Sequence, residues 1–141
     1  MLKRIPKILS PQLVKTLMEM GHGDEIVIAD ANFPCHTCSA NVVRADGLSG
    51  SDLLRAIMEL LPLDSYSEQQ LFLMEVVPGD AYKPLIWEEY NKILDQSGEP
   101  HATGYLDRFG FYERARKAYA VVATGEEALY ANIILKKGVI K

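Results

Sequence analysis

Residues 25–30, Glu-Ile-Val-Ile-Ala-Asp, place four apolar residues in a row with no polar residue between them. A strand with one wet face alternates apolar and polar side chains. An unbroken apolar run of β-branched type fits a strand buried on both faces. Burial on both faces implies helices on both sides of a sheet, so the chain is expected to be α/β.

The rest of the chain supplies those helices. Ser10-Pro11 is an N-cap followed by proline at the first helical position. Leu13, Val14, Leu17, Met18 and Met20 then recur at helical spacing before Gly21, which predicts a helix over 11–20. A second amphipathic helix is predicted over 51–61, capped at Ser49 or Ser51 and stopped by Pro62. Pro84 opens a third, to about residue 96, with Gly98 after it. Residues 108–118 are predicted helical in their second half. Further buried strands are predicted at 70–77, 119–125 and 131–140. Alternating helices and apolar strands predict a three-layer α/β/α sandwich with a mixed sheet.

At 141 residues the chain is expected to form a single domain, 1–141. It is 48% hydrophobic, enough for a core that needs neither disulfides nor metal. A formal net charge of −4 argues against nucleic acid or an anionic membrane surface as the main partner. No apolar run reaches membrane-spanning length. The basic N-terminus lacks the apolar stretch of a signal peptide. Two cysteines three residues apart, without such a signal, suit a reducing cytoplasm.

No GxGxxG follows a strand, and GxxxxGK[ST], GxSxG and HExxH are absent. No nucleotide cofactor is therefore expected. Residues 47–52, Gly-Leu-Ser-Gly-Ser-Asp, could seat an anion at a helix start, but a turn and cap is the plainer reading. The pair Cys35-His36-Thr37-Cys38 lacks the second ligand pair of a structural zinc site. A thioredoxin-type pair should open a helix, whereas Pro34 precedes Cys35 and no helical pattern follows. The two cysteines are expected to be small, half-buried fillers, with no metal bound.

The stretch 21–30 holds a different kind of chemistry. His22 lies just past a helix C-terminus, where the helix dipole and the nearby Asp24 favour imidazolium. Such a group can donate a proton near neutral pH; equally, it could simply cap helix carbonyls. Asp30 ends a buried strand, and open α/β sheets bind ligands beyond the carboxyl ends of their strands. It could also be only a turn residue. The strand between the two is roughly 15–20 Å long, so one ligand reaches both only if the chain doubles back or two subunits share the site. Taken alone, Arg108 reads as a surface charge and Tyr130 as a core aromatic with a wet hydroxyl.

Several segments in order carry a resemblance: Ile8–Pro11, Glu-Met-Gly-His-Gly-Asp-Glu-Ile (19–26), and Asp30 with Phe33-Pro34 and His36. Val-Arg-Ala-Asp-Gly-Leu (43–48) and Ser-Asp-Leu-Leu (51–54) continue it. Arg-Phe-Gly-Phe-Tyr-Glu-Arg-Ala (108–115) and the Tyr-x-Asn-Ile pattern ahead of Lys-Lys-Gly-Val (124–139) complete it. Together they resemble the fucose mutarotase family, the relatives of ribose pyranase, nearly end to end and most weakly over 62–105. The 108–115 motif looks like the fucose branch.

The resemblance implies a cofactor-free isomerase that interconverts the α and β anomers of L-fucose and feeds fucose metabolism. It implies His22 as the proton donor and Asp30, Arg108, Tyr130, Ala131 and Asn132 as sugar-binding residues, with His36 lining the site. It also implies a homo-oligomer, a decamer of paired rings with sugar sites at subunit interfaces. Ala131 stands where the family has glycine, which would cost free energy if that residue needed positive φ. Mutarotation needs one proton delivered to the ring oxygen and one removed from the anomeric hydroxyl, so acid–base groups suffice. Two readings stand beside it: pyranose–furanose interconversion of ribose, and a monosaccharide-binding protein without turnover.

Overall fold

A computed structural model describes residues 1–141. Helix α1 (Pro11–Glu19) leads into strand β1 (Glu25–Ala29), followed by a single helical turn α2 (Cys35–Cys38) and strand β2 (Val42–Ala45). Helix α3 (Gly50–Met58), strand β3 (Leu71–Met74), helix α4 (Ile86–Ser97) and strand β4 (Thr103–Leu106) come next. Helix α5 (Arg108–Lys117) and strands β5 (Ala120–Thr124) and β6 (Ile133–Lys136) complete the chain.

The six strands form one sheet in the order β2-β5-β1-β6-β3-β4. β1 pairs in parallel with β5, β5 with β2, and β3 with β4. β6 runs antiparallel between β1 and β3. Five strands therefore point one way, and their carboxyl ends share one edge of the sheet.

Two separate cores explain the apolar runs. Ile26, Ile28, Val122, Ile133 and Leu135 face a larger cluster completed by α1, α3 and α4. Val27, Ala29, Val121, Ala123 and Ile134 face a smaller one completed by α2 and α5. Successive side chains of a strand point to opposite faces, so a strand with a core on each face must be apolar at every position. The three-layer α/β/α reading holds.

The boundaries differ where local rules compete. α5 is helical from Arg108, not only in its second half. Asp107 caps it, accepting a hydrogen bond from the Gly110 amide at 2.7 Å. A Cβ on Gly110 would sit 2.6 Å from that carboxylate, so glycine admits the cap at the expense of helix propensity. β2 and β4 carry no apolar run because they are edge strands with outward-facing Arg44 and Tyr105. The turn α2, which no periodicity announces, is too short to show any.

Candidate functional site

The carboxyl-terminal edge of the sheet gathers most of the polar residues singled out above. Asp46, Asp107 and Glu126 all lie just past strands there, yet each is occupied locally. Asp46 pairs with Arg44, Asp107 caps α5, and Glu126 accepts from the amides of Gly50 and Ala128. The N-terminus of α3 is thus filled by Glu126 and the Ser49 cap, which leaves the turn-and-cap reading of 47–52 in place.

Asp30 is different: it is only 6% exposed. It forms a reciprocal pair with Asn132, which opens β6. The Asp30 amide donates to Asn132 Oδ1 at 2.8 Å, and Asn132 Nδ2 donates to Asp30 Oδ2 at 2.8 Å. The Asn32 amide donates to Asp30 Oδ1 at 3.0 Å. Burial pushes the carboxyl above its ordinary range, and these donors oppose the rise. Asp30 lines a cavity of about 210 Å3 with Phe33, His36, Arg44 and Thr124. His36 stands 3.2 Å from the Arg44 guanidinium at its rim.

Arg108 begins α5, just past the carboxyl end of β4. Its Nε donates to the Tyr112 hydroxyl at 3.2 Å, and Tyr112 packs edge-to-face on Phe33 with ring centres 5.4 Å apart. Tyr130 precedes β6 in the left-handed region, at φ 58°. Its carbonyl accepts from Trp87 Nε1 at 2.8 Å, and the Ala131 carbonyl accepts from the buried Tyr90 hydroxyl at 2.8 Å. The strain the glycine-to-alanine change might have brought is therefore absent: Tyr130, not Ala131, takes the positive φ. Two α4 side chains hold it there.

His22 lies at the opposite edge of the sheet, before β1. Its partner is not Asp24, whose carboxylate accepts from the Gly21 amide. It is Asp64, 42 residues on in sequence, whose Oδ1 lies 2.9 Å from His22 Nε2. Asp64 is almost fully buried while the His22 side chain is 46% exposed. The carboxylate also accepts from Ser67 Oγ at 2.6 Å and the Tyr66 amide at 3.1 Å, with Lys136 Nζ 3.9 Å away. Gly138 lets this segment close in, since a Cβ there would lie 2.3 Å from the Leu63 carbonyl. The Ser67 hydroxyl first, then His22, holds the Asp64 carboxyl down at about 2. A carboxylate partner places a hydrogen on Nε2, an assignment made from the partner, and leaves Nδ1 for proton exchange with a ligand.

A depressed carboxylate pKa stabilises the fold above its unfolded value, near 3.8, and that contribution is lost as pH falls toward 2. Asp64→Asn is accordingly expected to flatten the fall in denaturation midpoint between pH 4 and 2. A variant midpoint that drops as steeply as the wild type's would assign the acid limb elsewhere.

Both cysteines are free and buried, facing the smaller core. Burial lifts the Cys35 thiol to about 11 and raises that of Cys38. Thiols so disfavoured as thiolates are poor nucleophiles, in keeping with filler residues. The helical turn they occupy, which the sequence did not announce, does not activate them.

Sequence reasoning singled out candidate residues at both edges of the sheet but not their supports. Asp64, Trp87, Tyr90 and Asp80, the last 2.9 Å from the Tyr130 hydroxyl, sit far from their partners along the chain. No spacing rule could have linked them.

A sequence profile of the RbsD / FucU transport protein family matches residues 3–140. The chain is 52% identical over 145 residues to the fucose mutarotase of Homo sapiens, covering 99% of this chain and 94% of that one. It is 54% identical to the fucose mutarotase of Streptococcus pneumoniae, solved as a crystal structure in complex with L-fucose. The TM-score there is 0.95, with 99% of this chain and 100% of that one covered. Bacillus subtilis RbsD, solved with D-ribose, shares the fold at a TM-score of 0.70 and 26% identity, over 94% of this chain and 95% of that one. With its fold, its two polar clusters and this match over nearly its whole length, the chain belongs to the RbsD / FucU family.

Proposed function

We propose that the protein is a fucose mutarotase, an isomerase that interconverts the α and β anomers of L-fucose through the open-chain aldehyde. One observation carries the reading: an end-to-end likeness, at 54% identity, to a protein solved with L-fucose bound. The likeness to the ribose-bound relative is much weaker, at 26%, which favours fucose over ribose as the sugar.

The geometry divides the work. Asp30, Asn132 and Arg108, with Tyr130 and the backbone at Ala131, hold the sugar hydroxyls at the carboxyl edge. A buried carboxylate paired with an amide offers acceptors and donors in fixed positions, which is what discrimination among hydroxyls requires. His22, oriented by Asp64, gives its proton to the ring oxygen as the ring opens. Tyr130 is the candidate to receive the anomeric proton. No cofactor takes part, because both bond changes are proton transfers.

His22 and Asp30 lie at opposite edges of the sheet, so His22 serves a sugar held by a neighbouring subunit. That supports a homo-oligomer with sites at subunit interfaces, and the decamer of paired rings is the assembly we propose. Two free thiols agree with a cytoplasmic setting.

The test is saturation-transfer NMR of L-fucose at neutral pH, with D-ribose in parallel. Magnetisation exchange between fucose anomers well above the buffer rate is expected. Faster exchange for ribose would move the assignment to pyranase chemistry. Fucose binding without exchange would make the protein a sugar binder.

A further inference from the structure

We propose that Asp80 is the positioning residue that makes Tyr130 an acceptor for the anomeric proton, receiving the phenolic proton as Tyr130 takes the sugar's. The inference rests on the mutarotase reading.

Four observations converge on this pair. The Tyr130 hydroxyl donates to Asp80 Oδ2 at 2.9 Å. The other oxygen of that carboxylate, Oδ1, accepts from the Tyr82 amide at 2.9 Å, so the carboxylate cannot swing away without breaking its own turn. The Val77 amide donates to the Tyr130 oxygen at 3.3 Å. The Tyr82 ring stacks on the Tyr130 ring, with centres 6.0 Å apart and planes 26° from parallel. The loop between β3 and α4 thus wraps the phenol on three sides, while Trp87 holds the strained backbone beneath it. This is more fixing than a half-buried tyrosine needs for packing.

The chemistry explains the arrangement. A phenol ordinarily keeps its proton near neutral pH and is a weak base unless that proton leaves in the same step. With its own hydrogen directed at Asp80, Tyr130 has a lone pair free for the sugar's O1–H. The imidazolium form of His22, its Nε2–H kept on Asp64, donates its Nδ1 proton to ring oxygen O5 as the C1–O5 bond breaks, and that electron pair goes to O5. The O1 proton passes to Tyr130 Oη, the Tyr130 proton passes to Asp80 Oδ2, and the O1–H electrons form the C1=O1 bond. Rotation about C1–C2 and attack of O5 on the other face of the aldehyde run each transfer backwards. His22 and Asp80 are restored, and no oxidant or co-reactant enters. Asp30 is poorly placed for this role, since its oxygens already serve Asn132 and Asn32.

The experiment compares wild type, Asp80→Asn, Asp80→Glu, Tyr130→Phe and Asp80→Asn/Tyr130→Phe by saturation-transfer NMR across L-fucose concentrations, with fucose binding measured by calorimetry. An Asn keeps the turn and the shape but is no base. The expected result is a kcat lower by about 10- to 100-fold in Asp80→Asn, with KM and fucose affinity within about threefold. Asp80→Glu should recover part of the rate, and the double variant should be no slower than Tyr130→Phe alone. An active wild type with unimpaired Asp80→Asn, a loss confined to KM, or single losses that multiply in the double variant would each overturn the relay. A wild type that exchanges no fucose would overturn the mutarotase reading and the relay with it.

Discussion

His22→Ala is expected to lower L-fucose anomer exchange by about 10²- to 10⁴-fold while leaving the fold in place. The expectation follows from where the residue sits. Nearly half of the His22 side chain is exposed, so its removal opens no cavity. Asp64 keeps the Ser67 hydroxyl, the Tyr66 amide and the nearby Lys136, so its buried charge is not orphaned. The stability cost should therefore be about 1 kcal/mol. A rate collapse without unfolding separates a chemical role from a structural one. The measurement is saturation-transfer NMR beside a urea melt. Full exchange in the variant would remove His22 from the chemistry; a large loss of stability would mean that the pair serves the fold.

Asn132→Leu is expected to show the opposite balance: a stability loss of roughly 3 kcal/mol together with loss of fucose binding. Leucine has similar bulk and suits the strand, so packing alone predicts little change. The hydrogen bonds decide the outcome. Without the amide, the Asp30 backbone N–H and Asp30 Oδ2 both lose their partners inside a site that is 95% buried at Asn132 itself and 6% exposed at Asp30. Leaving a buried donor and a buried carboxylate oxygen unpaired costs far more than forming the bonds contributes. Urea denaturation at fixed protein concentration measures it, since association would otherwise contribute. Because burial already raises the Asp30 pKa, the loss should shrink as pH falls and Asp30 takes up a proton. A loss below about 1 kcal/mol at neutral pH would mean that water or another group replaces the amide.

Gly110 and Gly138 show how local preference and tertiary need divide. Taken by itself, Gly110 argues against a helix at the start of the 108–118 segment. The helix forms because the Asp107 cap occupies the space a side chain would fill. Gly138 falls inside the strand predicted over 131–140, but β6 ends at Lys136 and the Leu63 carbonyl lies where a Cβ at 138 would be. The edge strands β2 and β4 were illegible for another reason: half-solvated at one margin of the sheet, they need no continuous apolar run.

What the sequence alone determined follows from periodicity and composition. Apolar runs at strand length, apolar stripes at helical spacing, and proline and glycine at the ends of segments set the layer order. Each is a local consequence of burying one face or two. His22 and Asp30 stood out by their places at the two ends of an apolar strand, whereas Arg108, Tyr130 and Asn132 entered as candidates only through the family resemblance. Only the tertiary structure decided their partners. Asp64 reaches His22, Asn132 reaches Asp30, and Trp87 and Asp80 reach Tyr130 across 42 to 102 residues of chain, as the paired positions show. Such contacts depend on strand order and on β6 entering antiparallel between β1 and β3. A short polar side chain carries no trace in sequence of which distant loop will fold onto it.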